Sequence, residues 1–201
     1  IPTLRARLAM PETLVVLKRI QEMREICRGA DGSLCLGGAT TPAEVAKSPE
    51  TFAGLAGLAE RIGDPAVRNR GTIGGSVANN DPSACYPAAV LGTGATVVTN
   101  SREIAADDFF EGMFATALEE GEIITEVRFP VPEVSHYQKF VQPASRFALV
   151  GVFVARFPDH VRVAVTGASE DGVYRWTEAE EALARNFDPA ALEGLAMPDD
   201  A

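Results

Sequence analysis

The chain has 201 residues and a formal net charge of −10, with 46% hydrophobic and 23% charged residues. The hydrophobic content is enough for a real core, and the negative charge argues against nucleic acid or an anionic membrane as a partner. No apolar run reaches the length of a membrane span, and three cysteines without C-x-x-C spacing predict a reducing, cytoplasmic setting.

The first third of the chain contains signals for strands and helices. Residues 13–17 form an apolar run that predicts a fully buried strand. Residues 25–28 and 33–37 alternate around a Gly-Ala-Asp-Gly turn and predict a hairpin. Thr41 and Glu44 form a capping box that predicts a short helix, and a second helix is expected over residues 49–62.

A glycine-rich stretch, residues 68–82, follows these elements. It places Gly71, Gly74 and Gly75 within five positions. Glycine permits a close approach of the backbone to a ligand and turns with positive φ. Inside an apolar segment the pair predicts a short buried strand with a bulge or a ligand against its backbone, and a tight turn is equally compatible. The pattern is not the G-x-G-x-x-G dinucleotide fingerprint.

The middle of the chain continues with a helix and two strands. Asp81 followed by Pro82 predicts the start of a helix that extends to about residue 91. Asp81 is interpreted as the N-cap of this helix. Strands are expected over residues 95–99 and 123–129. The Pro-Val-Pro at residues 130–132 is extended and semi-rigid, and it predicts a boundary between domains 1–131 and 132–201.

The second predicted domain is rich in strands. Strands are expected over residues 137–141, 150–157, 161–167 and 173–176. Thr177 and Glu180 form a second capping box, and Asp188 precedes a last helix. The predicted fold class is therefore α+β, with antiparallel sheets and helices packed against them.

The sequence contains little evidence for catalysis by side chains alone. His136 and His160 have no carboxylate or cysteine at ligand spacing, and no Ser-His-Asp pattern is visible. If the chain takes part in catalysis, a cofactor must supply the chemistry, and the protein supplies placement and electrostatics.

Several segments resemble one family in order along the chain. Residues 63–75, Asp81-Pro82, Phe109-Phe110, 122–130 and 137–140 are similar to the FAD-carrying medium subunit of molybdenum hydroxylases, the xanthine dehydrogenase and aerobic carbon monoxide dehydrogenase family. The resemblance implies an FAD domain of the fold shared with vanillyl-alcohol oxidase (PCMH-type). A smaller C-terminal α+β domain with an antiparallel sheet, like that of carbon monoxide dehydrogenase flavoproteins, would follow it.

The resemblance also implies a set of FAD-binding residues. The backbone of residues 72–75 would donate to the pyrophosphate, Ile124 would pack over the isoalloxazine, and Lys139 would tune the flavin. The family often has acidic residues where this chain has Cys85 and Arg146. The complete implied set is Val67, Thr72, Ile73, Gly74, Gly75, Asn79, Asp81, Ile124 and Lys139.

The family binds the FAD pyrophosphate with an additional Ala-Gly-Gly-x-Ser loop that these 201 residues do not contain. We therefore expect residues 1–201 to bind FAD weakly or not at all, because several charge-assisted hydrogen bonds are missing.

The implied function is electron transfer. FAD would accept electrons from an iron–sulfur small subunit and pass them to an external acceptor, while a molybdenum large subunit oxidises the substrate. One alternative is a stand-alone flavin reductase resembling UDP-N-acetylenolpyruvoylglucosamine reductase. The other is a scaffold subunit without flavin.

Overall fold

The computed structural model describes residues 6–8 and 10–198, which contain three antiparallel sheets and six α-helices. The helices are α1 (Pro42–Lys47), α2 (Ala53–Glu60), α3 (Pro65–Arg68), α4 (Ile73–Asn79), α5 (Tyr86–Thr93) and α6 (Thr177–Arg185). The strands are β1 (Ile26–Arg28), β2 (Leu34–Gly37), β3 (Thr96–Thr99), β4 (Glu103–Ala105), β5 (Phe110–Gly112), β6 (Ala115–Thr116), β7 (Ile124–Phe129), β8 (Val134–Val141), β9 (Ala148–Arg156), β10 (Val161–Thr166) and β11 (Tyr174–Arg175). Single 3-10 turns lie at Leu17–Arg19, Glu22–Arg24, Ala106–Asp108 and Pro189–Leu192.

The strands form a five-stranded sheet in the order β1-β2-β7-β3-β4 and a four-stranded sheet in the order β11-β10-β9-β8. A small β5-β6 pair completes the set, and every strand pair in the described chain is antiparallel. The predicted combination of antiparallel sheets with packed helices is confirmed. The closer comparison with vanillyl-alcohol oxidase stays a prediction.

Helix α5 is the centre of the core, and all eight of its residues are buried. It packs on β9 and β10, where a Cβ on Gly92 would lie 3.1 Å from the Phe153 ring and 3.2 Å from the Ala164 side chain. The same hydrophobic core contains Leu55 before the predicted domain boundary and Tyr137 after it. The core is therefore continuous across residue 131, and the division into two domains stays a prediction.

Local signals predicted several elements correctly. The Thr41 side chain accepts from the Glu44 N–H at 3.3 Å, and Glu44 Oε2 accepts from the Thr41 N–H at 2.8 Å. This reciprocal pair fixes the start of α1. The hairpin β1–β2 and the predicted strands β3, β7, β8, β9 and β10 are also confirmed.

The strand predicted at residues 13–17 is wrong. Leu14, Val15 and Val16 are all exposed, and the segment leads into the 3-10 turn at Leu17–Arg19. A buried strand needs hydrogen-bonded neighbours, and no other strand in the described part of the chain pairs with this segment.

The predicted start of the helix after Asp81 is wrong as well. The helix after Asp81 begins only at Tyr86, because the Asp81 carboxylate accepts from the Ser83 N–H at 2.9 Å and forms a local turn. The helix predicted from Thr177 is confirmed as α6, but its capping box is wrong, because Trp176 is the N-cap and Glu180 accepts from the Val163 N–H at 2.9 Å. The helix expected after Asp188 is a single 3-10 turn.

None of the helices in the described ranges is long and apolar enough to cross a bilayer. His136 lies exposed in β8, and His160 stacks on the Phe157 ring at 4.6 Å. Within the same ranges, no three His, Cys, Asp or Glu side chains come together as a metal site would require.

Candidate cofactor-binding cleft

A cleft of about 400 Å³ lies between the N-terminal end of α4, the N-terminal end of α5 and the turn that joins β8 to β9. Its volume is in the range typical of small-molecule sites. It is lined by Pro42, Ile62, Gly63, Val67, Arg70, Gly71, Thr72, Gly75, Ser76, Ser83, Ala84, Cys85, Tyr86, Lys139, Ser145, Arg146 and Phe147.

The described wall of the cleft is cationic. Arg70, Lys139 and Arg146 line it, and none of the lining residues named above is acidic. This is a local reversal in a chain whose net charge is −10. A cleft walled by one sign of charge concentrates ligands of the opposite sign, so the cleft is suited to an anion.

Lys139 is the most unusual of these cations, because it is only 6% exposed. It lies on the inward face of β8, and its Nζ donates to the Arg61 carbonyl at 3.0 Å and to the Cys85 sulfur at 3.3 Å. Among the described residues, no carboxylate pairs with it. Burial of an unpaired cation is costly, so an anionic or hydrogen-bond-accepting ligand in the cleft would compensate it.

The glycine pair lies in a helix, so both the predicted strand and the alternative tight turn are wrong here. Thr72 is the N-cap of α4, and its hydroxyl accepts from the Gly75 N–H at 3.1 Å. The Gly74 N–H donates to the Gly38 carbonyl at 2.9 Å. A Cβ on Gly74 would lie 2.6 Å from that carbonyl oxygen, so this glycine permits a contact between two backbones.

The two glycines therefore differ in role. Gly74 is buried against Gly38, whereas Gly75 is exposed on the wall of the cleft. The N–H groups of Ile73, Gly74 and Gly75 donate to Thr40, Gly38 and Thr72 respectively. The predicted donation of these groups to a pyrophosphate stays a prediction, and it requires an exchange of these hydrogen bonds.

The structure brings some of the predicted site residues together and separates others. Val67, Thr72, Gly75 and Lys139 line the cleft. The other predicted residues lie outside its lining: Ile73, Gly74 and Ile124 are buried, Asn79 is exposed near the end of α4, and Asp81 is half-buried in its turn with Ser83. The assignment of the whole set to a cofactor stays a prediction.

Tyr86 is a site residue that the sequence did not reveal. Its side chain is fully buried at the wall of the cleft, and its hydroxyl has no hydrogen-bond partner among the described residues. Burial, and then the nearby Cys85, raise the pKa of Tyr86 above its ordinary value of 10.0, so the phenol stays neutral and can donate. A tyrosine inside an apolar helix was the only available signal.

Comparison with known proteins gives this cleft a context. A family model described as the FAD binding domain in molybdopterin dehydrogenase matches residues 1–132. The carbon monoxide dehydrogenase medium chain of Hydrogenophaga pseudoflava is 32% identical over 98% of this chain and 73% of its own length. The corresponding chain of Afipia carboxidovorans is 35% identical, over 77% of this chain and 57% of its own.

A relative named for another substrate shows a comparable similarity. The nicotine 6-hydroxylase medium subunit of Paenarthrobacter nicotinovorans is 32% identical, over 91% of this chain and 69% of its own. The chain thus spans between 57% and 73% of the length of these three relatives.

Solved structures agree. Carbon monoxide dehydrogenase from Hydrogenophaga pseudoflava superposes with a TM-score of 0.83 at 33% identity, covering 95% of this chain and 71% of that chain. Quinoline 2-oxidoreductase from Pseudomonas putida 86 has a TM-score of 0.83 at 28% identity, covering 99% and 77%.

The residues of the cleft fit FAD, which combines a flat ring with an anionic diphosphate. Ile62, Val67 and Phe147 supply apolar surface for the ring, and Arg70, Lys139 and Arg146 supply positive charge for the diphosphate. The chain belongs to the family of FAD-binding domains of molybdopterin dehydrogenases, as part of the FAD-binding medium subunit of an oxidoreductase of the molybdenum hydroxylase family.

Proposed function

We propose that this chain is the electron-transfer part of a molybdenum-containing dehydrogenase and holds FAD in the cleft beside α4. The cleft residues would hold FAD, and bound FAD would supply the redox chemistry between an iron–sulfur small subunit and an external acceptor. Substrate oxidation takes place in a molybdenum large subunit. The relatives named as medium chains and medium subunits support this division of labour.

The proposal rests on one observation: Lys139 is buried at the cleft without a carboxylate partner in the described chain. Its ammonium group is fixed by Arg61 and Cys85, and it has no carboxylate partner in the described chain. Reduced flavin carries more negative charge than oxidised flavin, so a fixed cation in the cleft would favour the reduced form of a bound flavin. Tyr86 adds a fully buried, neutral phenol to the same wall.

The remaining cleft residues would bind and orient the cofactor. Val67, Ile62 and Phe147 would cover the ring and exclude water. Arg70 and Arg146 are exposed at the cleft and would attract the diphosphate. No side chain is required to act as an acid, a base or a nucleophile.

The test is to purify the natural full-length subunit from its own cells and record its visible spectrum and its companions. The proposal predicts flavin absorption bands and co-purification with one iron–sulfur subunit and one molybdenum subunit. A stable monomer that turns over a substrate by itself would contradict the electron-transfer role.

A scaffold subunit without flavin is the second candidate. The engagement of the Ile73, Gly74 and Gly75 N–H groups within the protein favours it, because a phosphate would find no free backbone donor there. The same spectrum decides between the two, since the scaffold would assemble with its partners and remain colourless.

We also propose the finer points of the predicted organisation. These are the fold shared with vanillyl-alcohol oxidase, the division into domains 1–131 and 132–201, and a cytoplasmic location. The three free thiols support the location, because cytoplasmic cysteines are kept reduced.

A further inference from the structure

Two of the three cysteines lie directly opposite each other in the hairpin β1–β2. Cys27 on β1 is in register with Cys35 on β2. The Gly29 N–H donates to the Ser33 carbonyl at 2.8 Å on one side of the pair, and the Gly37 N–H donates to the Glu25 carbonyl at 2.9 Å on the other.

This alternation makes Cys27 and Cys35 a hydrogen-bonded pair, whose Cα atoms are about 5.5 Å apart in an antiparallel ladder. Disulfides join Cα atoms that are roughly 4.4 to 6.8 Å apart and Cβ atoms that are roughly 3.5 to 4.5 Å apart. The Cα spacing is within this range, while the Cβ atoms of directly opposite residues, about 4.5–5.5 Å apart, must approach through a small shift of the hairpin. Such a strained bond is more easily reduced.

The side chains also share a face. Leu34 and Leu36 are fully buried and face the core, so Cys35 between them faces the opposite side of the sheet. Cys27 faces the same side because the two residues are directly opposite. No other residue of the hairpin stands between them in the register.

The two thiols differ in access. Cys27 is exposed, whereas Cys35 is buried and lies 3.9 Å from the Ser33 hydroxyl. Burial raises the pKa of Cys35, which outweighs the opposing effect of the Ser33 hydrogen bond. An oxidant therefore meets Cys27 first, and Cys35 is positioned to react second.

We propose that Cys27 and Cys35 form a reversible disulfide, a modification site that is separate from the FAD cleft. With a small-molecule disulfide such as glutathione disulfide as the oxidant, the Cys27 thiolate attacks one sulfur and releases one glutathione thiolate. The Cys35 thiol then gives its proton to water and attacks the Cys27 sulfur, which releases the second glutathione. Two protein thiols are oxidised, and one disulfide is reduced to two thiols.

The link has a consequence for the structure. The disulfide closes the loop 27–35 and reduces the conformational entropy of the unfolded chain. We therefore expect a higher midpoint of thermal unfolding in the oxidised form. Strand β2 leads directly into Gly38, whose carbonyl accepts from Gly74 of α4. The oxidised hairpin thus holds the segment against which the N-terminal end of α4 rests.

The arrangement of arginines and lysines makes the test direct. The chain is incubated with glutathione disulfide, quenched in acid, alkylated and digested with trypsin. Cleavage after Arg24, Arg28 and Lys47 places Cys27 on peptide 25–28 and Cys35 on peptide 29–47, while Cys85 lies on peptide 71–102.

The expected product is peptide 25–28 joined to peptide 29–47, with a loss of two of the three titratable thiols and full recovery after dithiothreitol. Because Cys27 is exposed, the Cys27→Ser variant should fold normally. It should give no joined peptide and no gain in the midpoint of thermal unfolding after treatment with glutathione disulfide. Persistent glutathione on Cys27, a link to Cys85, or three unchanged thiols would each overturn the proposal.

Discussion

Lys139 donates a hydrogen bond to the sulfur of Cys85 over 3.3 Å, although the two residues are 54 positions apart in the chain. Strand β8 brings the lysine, and the start of α5 brings the cysteine. Both side chains are buried at the wall of the cleft. This contact fixes a positive charge at a defined place, and the first prediction concerns that charge.

Replacement of Lys139 by methionine keeps the side-chain shape and removes the charge. A hydrogen bond to a charged group contributes about 1.5–3 kcal/mol, so FAD affinity should fall roughly 10- to 100-fold. The unfolding midpoint of the flavin-free protein should not fall, because the variant no longer bears the desolvation cost of a buried cation without a counter-ion. FAD titrations and melting curves measure both quantities.

The exposed change Lys47→Met is the matched control, and it should leave FAD affinity unchanged. Equal FAD affinity in the Lys139→Met variant and the wild type would show that the ammonium group does not contact the cofactor.

The neighbouring glycines of α4 should respond in opposite ways. Gly74→Ala places a Cβ 2.6 Å from the Gly38 carbonyl oxygen, and such overpacking costs about 1–3 kcal/mol of unfolding free energy. Gly75→Val extends into the cleft instead, where the only close neighbour of the new Cβ is the Thr72 hydroxyl at 2.9 Å. It should remove FAD binding, while displacement of the Thr72 cap costs the flavin-free protein about 1 kcal/mol of unfolding free energy.

Gly57→Val in α2 is the control for a valine placed in a helix, since nothing lies within 4 Å of a Cβ there. A Gly75→Val protein that is well folded and keeps its full flavin content would place the cofactor elsewhere.

The exposed arginines of the cleft should act on the phosphates alone. The double change Arg70→Gln and Arg146→Gln should weaken FAD binding about fivefold for each charge, given up to about 1 kcal/mol for an exposed pair. The affinity should also depend less on salt. Riboflavin lacks phosphates and should bind both proteins equally, so a parallel loss of riboflavin affinity would indicate distortion of the cleft.

Glu122 should control part of the acid stability. Its carboxylate accepts from Arg102 at 2.9 Å, from the Ser101 hydroxyl at 2.6 Å and from the Glu119 N–H at 2.8 Å. These hydrogen bonds, with that of Arg102 the largest cause, hold the pKa of Glu122 well below its usual range.

A lowered folded-state pKa stabilises the fold fully above the unfolded-state pKa of about 4.3, and this contribution is lost as the pH falls toward the folded-state value. The variant Glu122→Gln should therefore lose less stability than the wild type between roughly pH 5 and pH 2. Urea unfolding at several pH values measures this. Parallel pH profiles of the two proteins would rule out the role of Glu122.

Elements with local signals were predictable from the sequence. Helix α1 has a complete capping box, and the second half of β7 alternates between half-buried Glu126 and Arg128 and buried Val127 and Phe129. The glycine helix was not predictable, because its position depends on the contact between Gly74 and Gly38, which lie far apart in the chain. Glu180 is a similar case, since its contact with Val163 replaced the local cap.

The candidate site was predictable only in part. The family resemblance identified Lys139 and Gly75, which do line the cleft. It did not identify Tyr86, because an unpaired hydroxyl becomes visible only when the surrounding residues are in place. The cationic wall combines separate segments of the chain, and no single segment shows that charge pattern.

The most direct test of FAD in the cleft is differential alkylation of the cysteines. Cys85 lines the cleft, whereas Cys27 is exposed on the β1–β2 hairpin and serves as the internal control. Alkylation is followed on tryptic peptides 71–102 and 25–28 in the reduced full-length subunit, with and without its FAD. Placement of FAD in the cleft predicts that FAD protects Cys85 and leaves the rate at Cys27 unchanged. Equal rates at Cys85 with and without bound FAD would contradict that placement.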